Sequence, residues 1–343
     1  MAELVVRPVR LKLRSPLKAA WGSLDERELL VVRLDFGGGD YGEGEAAPIE
    51  AYDRVSLSAV RAALDAYGSV LARASPRSTH AELLAACAAE RPLPHALAAI
   101  DLALWDRAGR RTGFPVAQLI AAGAVRSVAV NATIRAADRA GAAEAAAQAA
   151  AAGFWCVKMK VGIGDDAGRV AAVRAAIGAR AAIRIDANGA WTVDEAIAHL
   201  RHLAPSGIEL AEEPVHGVEA LRAVRAEVDV ALAMDETAAE EGAPESGATH
   251  AVCLKIGRCG GISGVLRDAA AARLGGSTVY VASTYDGPVG IAGGVHAAAG
   301  LSASGILPAH GLATLDVFAE PGERLRAVRG AIRVPRDPGL GVE

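Results

Sequence analysis

The chain of 343 residues, 52% hydrophobic and 22% charged with a formal net charge of -4, has the composition of a soluble globular protein. Its length exceeds one ordinary compact domain and fits either two domains or one barrel with additions. No basic stripe marks a nucleic-acid-binding face, and the alanine-rich run at 141–152 is too short to span a bilayer.

The opening MAELVVRPVRLKLRSP lacks a signal-peptide core, so a cytoplasmic location is expected. Cys87, Cys156, Cys253 and Cys259 are scattered and read as reduced thiols rather than a zinc site or disulfide framework.

In chain order, Val5–Leu13 and Leu29–Phe36 have strand character, and the glycine-rich Gly37–Gly42 between apolar runs reads as a hairpin turn. Helical periodicity takes over at Ser58–Ala72, Thr79–Ala89 and His95–Arg110, giving an α+β unit over 1–123. After Gly123, short apolar runs alternate with alanine-rich helices. The predicted strands are Val128–Thr133, Trp155–Lys160, Ala182–Asp186, Ile208–Ala211, Ala231–Met234, His250–Lys255, Thr278–Ala282 and Gly305–Pro308. Helices are predicted to start near Arg135, Asp165, Val193, Val218, Thr237, Ser263 and Val289. This rhythm points to a parallel (β/α) barrel over 124–318, with a doubly wound sheet as the alternative. The segment 319–343 holds one more strand-like piece, Ala331–Pro335, which could return to the first domain.

Polar residues recur at the carboxyl ends of these strands, the face where barrel sites are built. Asp186 ends AIRIDANG, Glu213 lies in IELAEEP and Asp235 ends ALAMDET. One such acid usually caps a helix. Three on successive strands would lie side by side and repel without a cation, and oxygen-only ligation favours Mg²⁺ or Mn²⁺. Lys158 and Lys160 are two apart and share a strand face. A metal and the Lys158 ammonium beside Lys160 would lower its pKa and make it a base. Lys255 ends the sixth strand, roughly opposite the second. Lysines on both sides of a metal-held carboxylate suit removal of its α-proton, with the metal stabilising the enediolate. Glu236 is placed to pair with Lys255.

The segments KMK, DANGAW, EEP, MDE and LKIGRCGG, in this order and spacing, resemble the enolase superfamily and, more narrowly, its muconate-lactonizing subgroup. GEGEAAP (Gly42–Pro48) and Ala98–Leu119 extend the resemblance over the N-terminal region. It implies an N-terminal α+β capping domain completed by the C-terminal segment, and a homo-oligomer acting on a small carboxylate, with neither nucleic acid nor membrane as partner. By match, Asp186, Glu213 and Asp235 hold Mg²⁺, Lys160 is the base, Lys158 its cationic neighbour and Lys255 the opposite lysine. Asn188, within DANGAW, supports them.

Subgroup members include o-succinylbenzoate synthases, muconate cycloisomerases, dipeptide epimerases and N-acylamino acid racemases. The Asp-x-Asp that dipeptide epimerases carry at the eighth strand is absent, and GLATL, beginning at Gly311, looks more like o-succinylbenzoate synthases. Dehydration is therefore the expected reaction, with racemisation or cycloisomerisation as alternatives. Ser283 and Asp286 near the seventh strand, Gly311, and Trp21 on a loop at Ser15–Arg27 are candidate substrate contacts. A ligand-binding barrel without turnover is disfavoured because every acid and lysine is present. A nucleotide-binding oxidoreductase is disfavoured because GRCGGISG is not G-x-G-x-x-G.

Overall fold

The computed structural model describes residues 2–19, 22–75, 77–305, 308–320 and 322–342. Alternating apolar and polar residues at the start of the chain form an antiparallel sheet of β1 (Glu3–Ala19), β2 (Gly22–Asp35) and β3 (Tyr41–Ala46). The stretch 15–27 is not an irregular loop. Its described parts, 15–19 and 22–27, are the far half of the β1–β2 pair, joined Leu17↔Leu24 and Ala19↔Gly22 beyond a register shift after Lys12. Trp21 lies outside the described residues.

Helices α1 (Glu50–Asp53), α2 (Leu57–Arg73), α3 (His80–Glu90) and α4 (Pro94–Thr112) follow, the last three where periodicity predicts them. Thr79 and Glu82 close a capping box at the start of α3. Pro94 opens α4, and Gly113, at φ 75, ends it. Ala96, Ala99 and Ala103 on α4 are fully buried against the sheet. Their smallness lets β3 approach so closely that a Cβ at Gly44 would lie 1.9 Å from the Ala99 carbonyl oxygen.

After α5 (Val116–Ile120) and β4 (Ser127–Ala129), strands and helices alternate. The strands are β5 (Ala132–Ile134), β6 (Cys156–Lys160), β7 (Ala182–Asp186), β8 (Ile208–Glu212), β9 (Leu232–Met234), β10 (Ala251–Lys255) and β11 (Thr278–Ala282). These seven are parallel and neighbour one another in chain order. The helices are α6 (Arg139–Ala151), α7 (Asp166–Ile177), α8 (Val193–Leu203), α9 (Val218–Glu227), α10 (Ile256–Cys259), α11 (Ile262–Leu274) and α12 (Pro288–Leu301). Outward strand residues such as Met159, Ile185, Met234 and Leu254 pack under the helices, while Leu210, Ala233, Ala251, Cys253, Tyr280 and Ala282 form a separate inner core.

Three departures from expectation have local causes. The first barrel strand breaks at Val130–Asn131, and its first part, β4, pairs antiparallel with β12 (Ala331–Arg333). The helix expected from Thr237 is replaced by two 3-10 turns, Thr237–Ala239 and Pro244–Ser246, because Gly242, Pro244 and Gly247 interrupt it. The eighth strand expected at 305–308 includes 306 and 307, which lie outside the described residues; the closure that is described comes just after it, where His310 bridges Val130 and Gly311 bridges Ala282. A Cβ at Gly311 would sit 2.8 Å from that of Ala282, so the closure needs glycine there. The C-terminal segment meets the N-terminal unit where the Ala319 amide donates to the Lys12 carbonyl and where the Leu340 amide donates to Asp106.

Arg27 and Glu45 are among the side chains that tie the N-terminal unit to the barrel. Arg27 donates to the carbonyls of Ala47, Pro48, Thr284 and Tyr285. Glu45 reaches the amino end of α12 and accepts the Gly287 amide at 2.6 Å. Burial pushes the Glu45 carboxyl up to about 7, with Asp286 adding like-charge repulsion. That value lies above the ordinary 4.5 of an unfolded glutamate, so the native state binds more protons between about pH 4.5 and about 7. Stability should therefore fall as pH rises through this window, by on the order of 1–3 kcal/mol, and level off above it. Urea unfolding across the window should show a clearly smaller decline in Glu45→Gln. An identical decline in both proteins would rule this out.

Candidate active site

The inward side chains at the strand ends form one cluster. Lys158 on β6 lies 3.0 Å from Asp186 on β7 and 2.5 Å from Glu212 on β8. Lys255 on β10 donates to Asp235, just past β9, at 2.5 Å. Arg258 on α10 donates to the other Asp235 oxygen at 3.1 Å. Tyr52, carried in from α1, places its hydroxyl 3.0 Å from both Asp235 and Lys255. Lys160 donates to the neutral amide oxygen of Asn188 at 2.7 Å, and the Asn188 amide nitrogen donates to Glu236 at 3.1 Å. Asn188 holds this place with φ 46, a conformation asparagine tolerates better than most residues.

Burial and charge oppose each other throughout. Burial pushes the Glu212 carboxyl up, and Asp186 and Asp235 add to this while Lys158 pulls it back. Burial works the same way on Asp235, but Lys255 and Arg258 outweigh it and hold that carboxyl well below the ordinary range. Desolvation disfavours the Lys158 ammonium, yet Asp186 and Glu212 raise its pKa well above the usual lysine value.

Lys158, Lys160, Asp186, Asn188, Asp235 and Lys255 come together at the strand ends, and Glu236 lies beside them but accepts from Asn188 rather than from Lys255. Glu213 does not. It leaves the strand at φ 41, and its carboxylate is fully buried outside the barrel interior. There it accepts the amide of Asp235 at 2.6 Å and the amide and hydroxyl of Thr237, and it meets His216 at 2.9 Å. The acid of this pair that joins Asp186 and Asp235 is Glu212. Strand alternation carries the signal: Leu210 and Glu212 face inward together, and Glu212 pairs in register with Asp186. Lys255 likewise bonds Asp235 rather than Glu236.

Among the candidate substrate contacts, Ser283 stands at the end of β11 and bonds the Thr314 hydroxyl at 3.1 Å. Asp286 is buried at the contact between the two units, with Arg27, Asp53 and His95 among its charged neighbours, so it is not placed to meet substrate. Gly311 serves barrel closure. Sequence reasoning missed Tyr52, Arg258 and Tyr285. Tyr285 sits within electrostatic reach of Lys158, Asp186 and Lys255. The shortened fifth unit leaves a cavity of about 520 Å³ beside Asp235, Lys255 and Arg258, walled in part by Pro94 and Leu97.

The donors suit a hard cation. Glu212, Asp235 and Cys253 bring possible ligand atoms within 4.8 Å of one another, and Asp186 joins Glu212 through Lys158, so the anionic donors on three adjacent strands are carboxylate oxygens. Such a set fits Mg²⁺ or Mn²⁺ better than zinc.

A parallel barrel with acids on β7, β8 and β9, flanked by lysines on β6 and β10 and covered by an antiparallel-sheet unit, defines a capped β/α-barrel enzyme. Family models place it further. The enolase C-terminal domain-like model matches residues 141–343, and the mandelate racemase / muconate lactonizing enzyme N-terminal domain model matches residues 1–121. The chain belongs to the enolase superfamily, in its muconate-lactonizing subgroup.

It is 38% identical over 225 residues to an o-succinylbenzoate synthase of Thermobifida fusca, covering 61% of this chain and 67% of that one. The structure of an N-succinyl Arg/Lys racemase from Bacillus cereus matches at TM-score 0.91 and 26% identity, covering 100% of this chain and 94% of that one. A dipeptide epimerase from Cytophaga hutchinsonii, complexed with Mg and D-Ala-L-Val, matches at 0.87 and 25%, covering 99% and 94%. No helix among the described residues is long and apolar enough to cross a membrane.

The two neighbouring glutamates should separate on substitution. Glu213→Ala strips acceptors from buried donors and should cost about 2–3 kcal/mol in urea unfolding. Glu212→Ala also removes an acceptor from Lys158 and from the Tyr280 hydroxyl, but Lys158 keeps Asp186 and repulsion among the buried acids is relieved, so it should cost less. Equal losses would contradict the division of roles.

Proposed function

We propose that the protein removes a proton α to a substrate carboxylate, with Asp186, Glu212 and Asp235 holding Mg²⁺, and that its overall reaction is dehydration of the o-succinylbenzoate synthase type. The bound cation would supply Lewis-acid stabilisation of the charge developing on the carboxylate. Lys160 takes the α-proton and returns it to the departing hydroxyl, which leaves as water. Lys255, opposite, keeps its proton and stabilises the intermediate electrostatically.

The observation that carries this choice is the asymmetry of the two lysines. Lys255 is tied to Asp235 and Tyr52, whereas Lys160 touches the neutral amide of Asn188. One lysine held by a neutral amide and one held by a carboxylate suit a one-base elimination better than a racemisation, in which both lysines exchange protons. Similarity to an o-succinylbenzoate synthase and the absence of Asp-x-Asp after Gly311 support the same choice. Racemisation of N-acylamino acids is the second reading, favoured by full-length similarity to the N-succinyl Arg/Lys racemase.

Incubation in D₂O with Mg²⁺, followed by NMR, tests the proposal on the o-succinylbenzoate precursor and on N-succinylamino acids. The expected result is conversion of the precursor to an aromatic product, reduced at least about 100-fold by Lys160→Ala. Deuterium entry into both enantiomers of an N-succinylamino acid, without precursor turnover, would replace dehydration by racemisation. No Mg²⁺-dependent reaction of any substrate would overturn the proposed substrate class.

A further inference from the structure

Beneath the three acids the barrel interior holds a second polar layer that the proposed reaction does not use. It starts from an irregularity in β8. The β7–β8 register steps from Ile183↔Ile208 to Arg184↔Leu210, so one extra residue, Glu209, is accommodated on β8. The Glu209 carboxylate, 40% exposed near the amino end of β8, meets the buried Arg184 guanidinium at 2.8 Å. Arg184 also donates to the Ala309 carbonyl at 2.7 Å, which fixes it across the interior. Its guanidinium lies 5.1 Å from the centre of the Tyr280 ring.

Tyr280 is 3% exposed, and its hydroxyl donates to Oε2 of Glu212. Lys158 donates to Oε1 at 2.5 Å. Each carboxylate oxygen has two acceptor directions, so one on each remains open. A glutamate has three rotatable side-chain bonds, and two donors from protein groups leave it little freedom. Around Tyr280, small inward residues, Ala233, Ala251 and Ala282, leave room for a large ring that a Val or Leu would not fill with a hydroxyl at this height.

We propose that Tyr280 is a positioning residue: it orients Glu212 for the divalent cation from below, held by the Glu209–Arg184 pair. The assignment rests on Glu212 being a ligand of that cation. Buried donors that orient ligating carboxylates contribute to metal affinity as well as to geometry. Removing one oxygen atom from Tyr280 keeps the ring, and so separates orientation from packing.

The test is Mn²⁺ binding, followed by calorimetry and by the Mn²⁺ paramagnetic resonance spectrum, in wild type, Tyr280→Phe and Leu210→Ala. Leu210 belongs to the same inner core but makes no bond to Glu212 through its side chain. Tyr280→Phe should bind Mn²⁺ roughly tenfold more weakly and alter the spectrum of the bound ion. Leu210→Ala should lower the melting temperature while leaving Mn²⁺ affinity within about twofold, as expected for a packing change alone. Unchanged affinity in Tyr280→Phe, or an equal loss in Leu210→Ala, would overturn the positioning role while leaving the cation site intact. If the wild type binds no Mn²⁺, the positioning role and the cation site fall together.

Discussion

Three carboxylates cannot remain ionised side by side in a barrel interior unless positive charge lies among them. Asp186, Glu212 and Asp235 meet this constraint through Lys158, Lys255 and Arg258, each within about 3 Å of at least one acid. Everything else around the mouth follows from where those charges must sit. The acids come from three adjacent strands, so their spacing is set by the parallel sheet itself. The lysines come from the strands on either side. A divalent ion at the same place would take over part of the neutralisation.

The N-terminal unit is part of this balance. Tyr52 enters from α1 to touch both Asp235 and Lys255, and Asp53 holds Arg258 at 3.1 Å. Arg27 and Glu45 fasten the same unit to the β11–α12 connection. Displacing the N-terminal unit would therefore disturb the electrostatics of the site as well as its cover. The cavity left by the missing fifth helix lies on the Lys255 flank, so the two sides of the site differ in shape as well as in charge.

Much of this was legible in the sequence, for identifiable reasons. Each barrel strand from β6 to β11 is a short, largely apolar run that ends in a polar residue or is followed by one; Lys160, Asp186, Asp235 and Lys255 occupy those positions, and Lys158 lies two residues before Lys160. Glu213 was the wrong choice of two adjacent glutamates. Composition cannot separate them, but strand parity can, because Leu210 and Glu212 share the inward face and Glu213 turns away at φ 41. The helix expected after Thr237 does not form because Gly242, Pro244 and Gly247 interrupt the regular barrel rhythm there. The closure at His310–Gly311 is too short to leave a hydrophobic pattern. Tyr52 reaches the site through tertiary packing, and nothing in its local sequence sets it apart from a surface residue; Arg258 lies in LKIGRCGG, three residues past Lys255, and its role emerges only from its contact with Asp235.

The most direct test of the central claim is a crystal structure with Mn²⁺, located by its anomalous scattering. A single peak bounded by carboxylate oxygens of Asp186, Glu212 and Asp235, with Glu213 still bonded to Thr237, is the predicted result. A peak ligated by Glu213, or no ordered ion between β7 and β9 at saturating Mn²⁺, would contradict it.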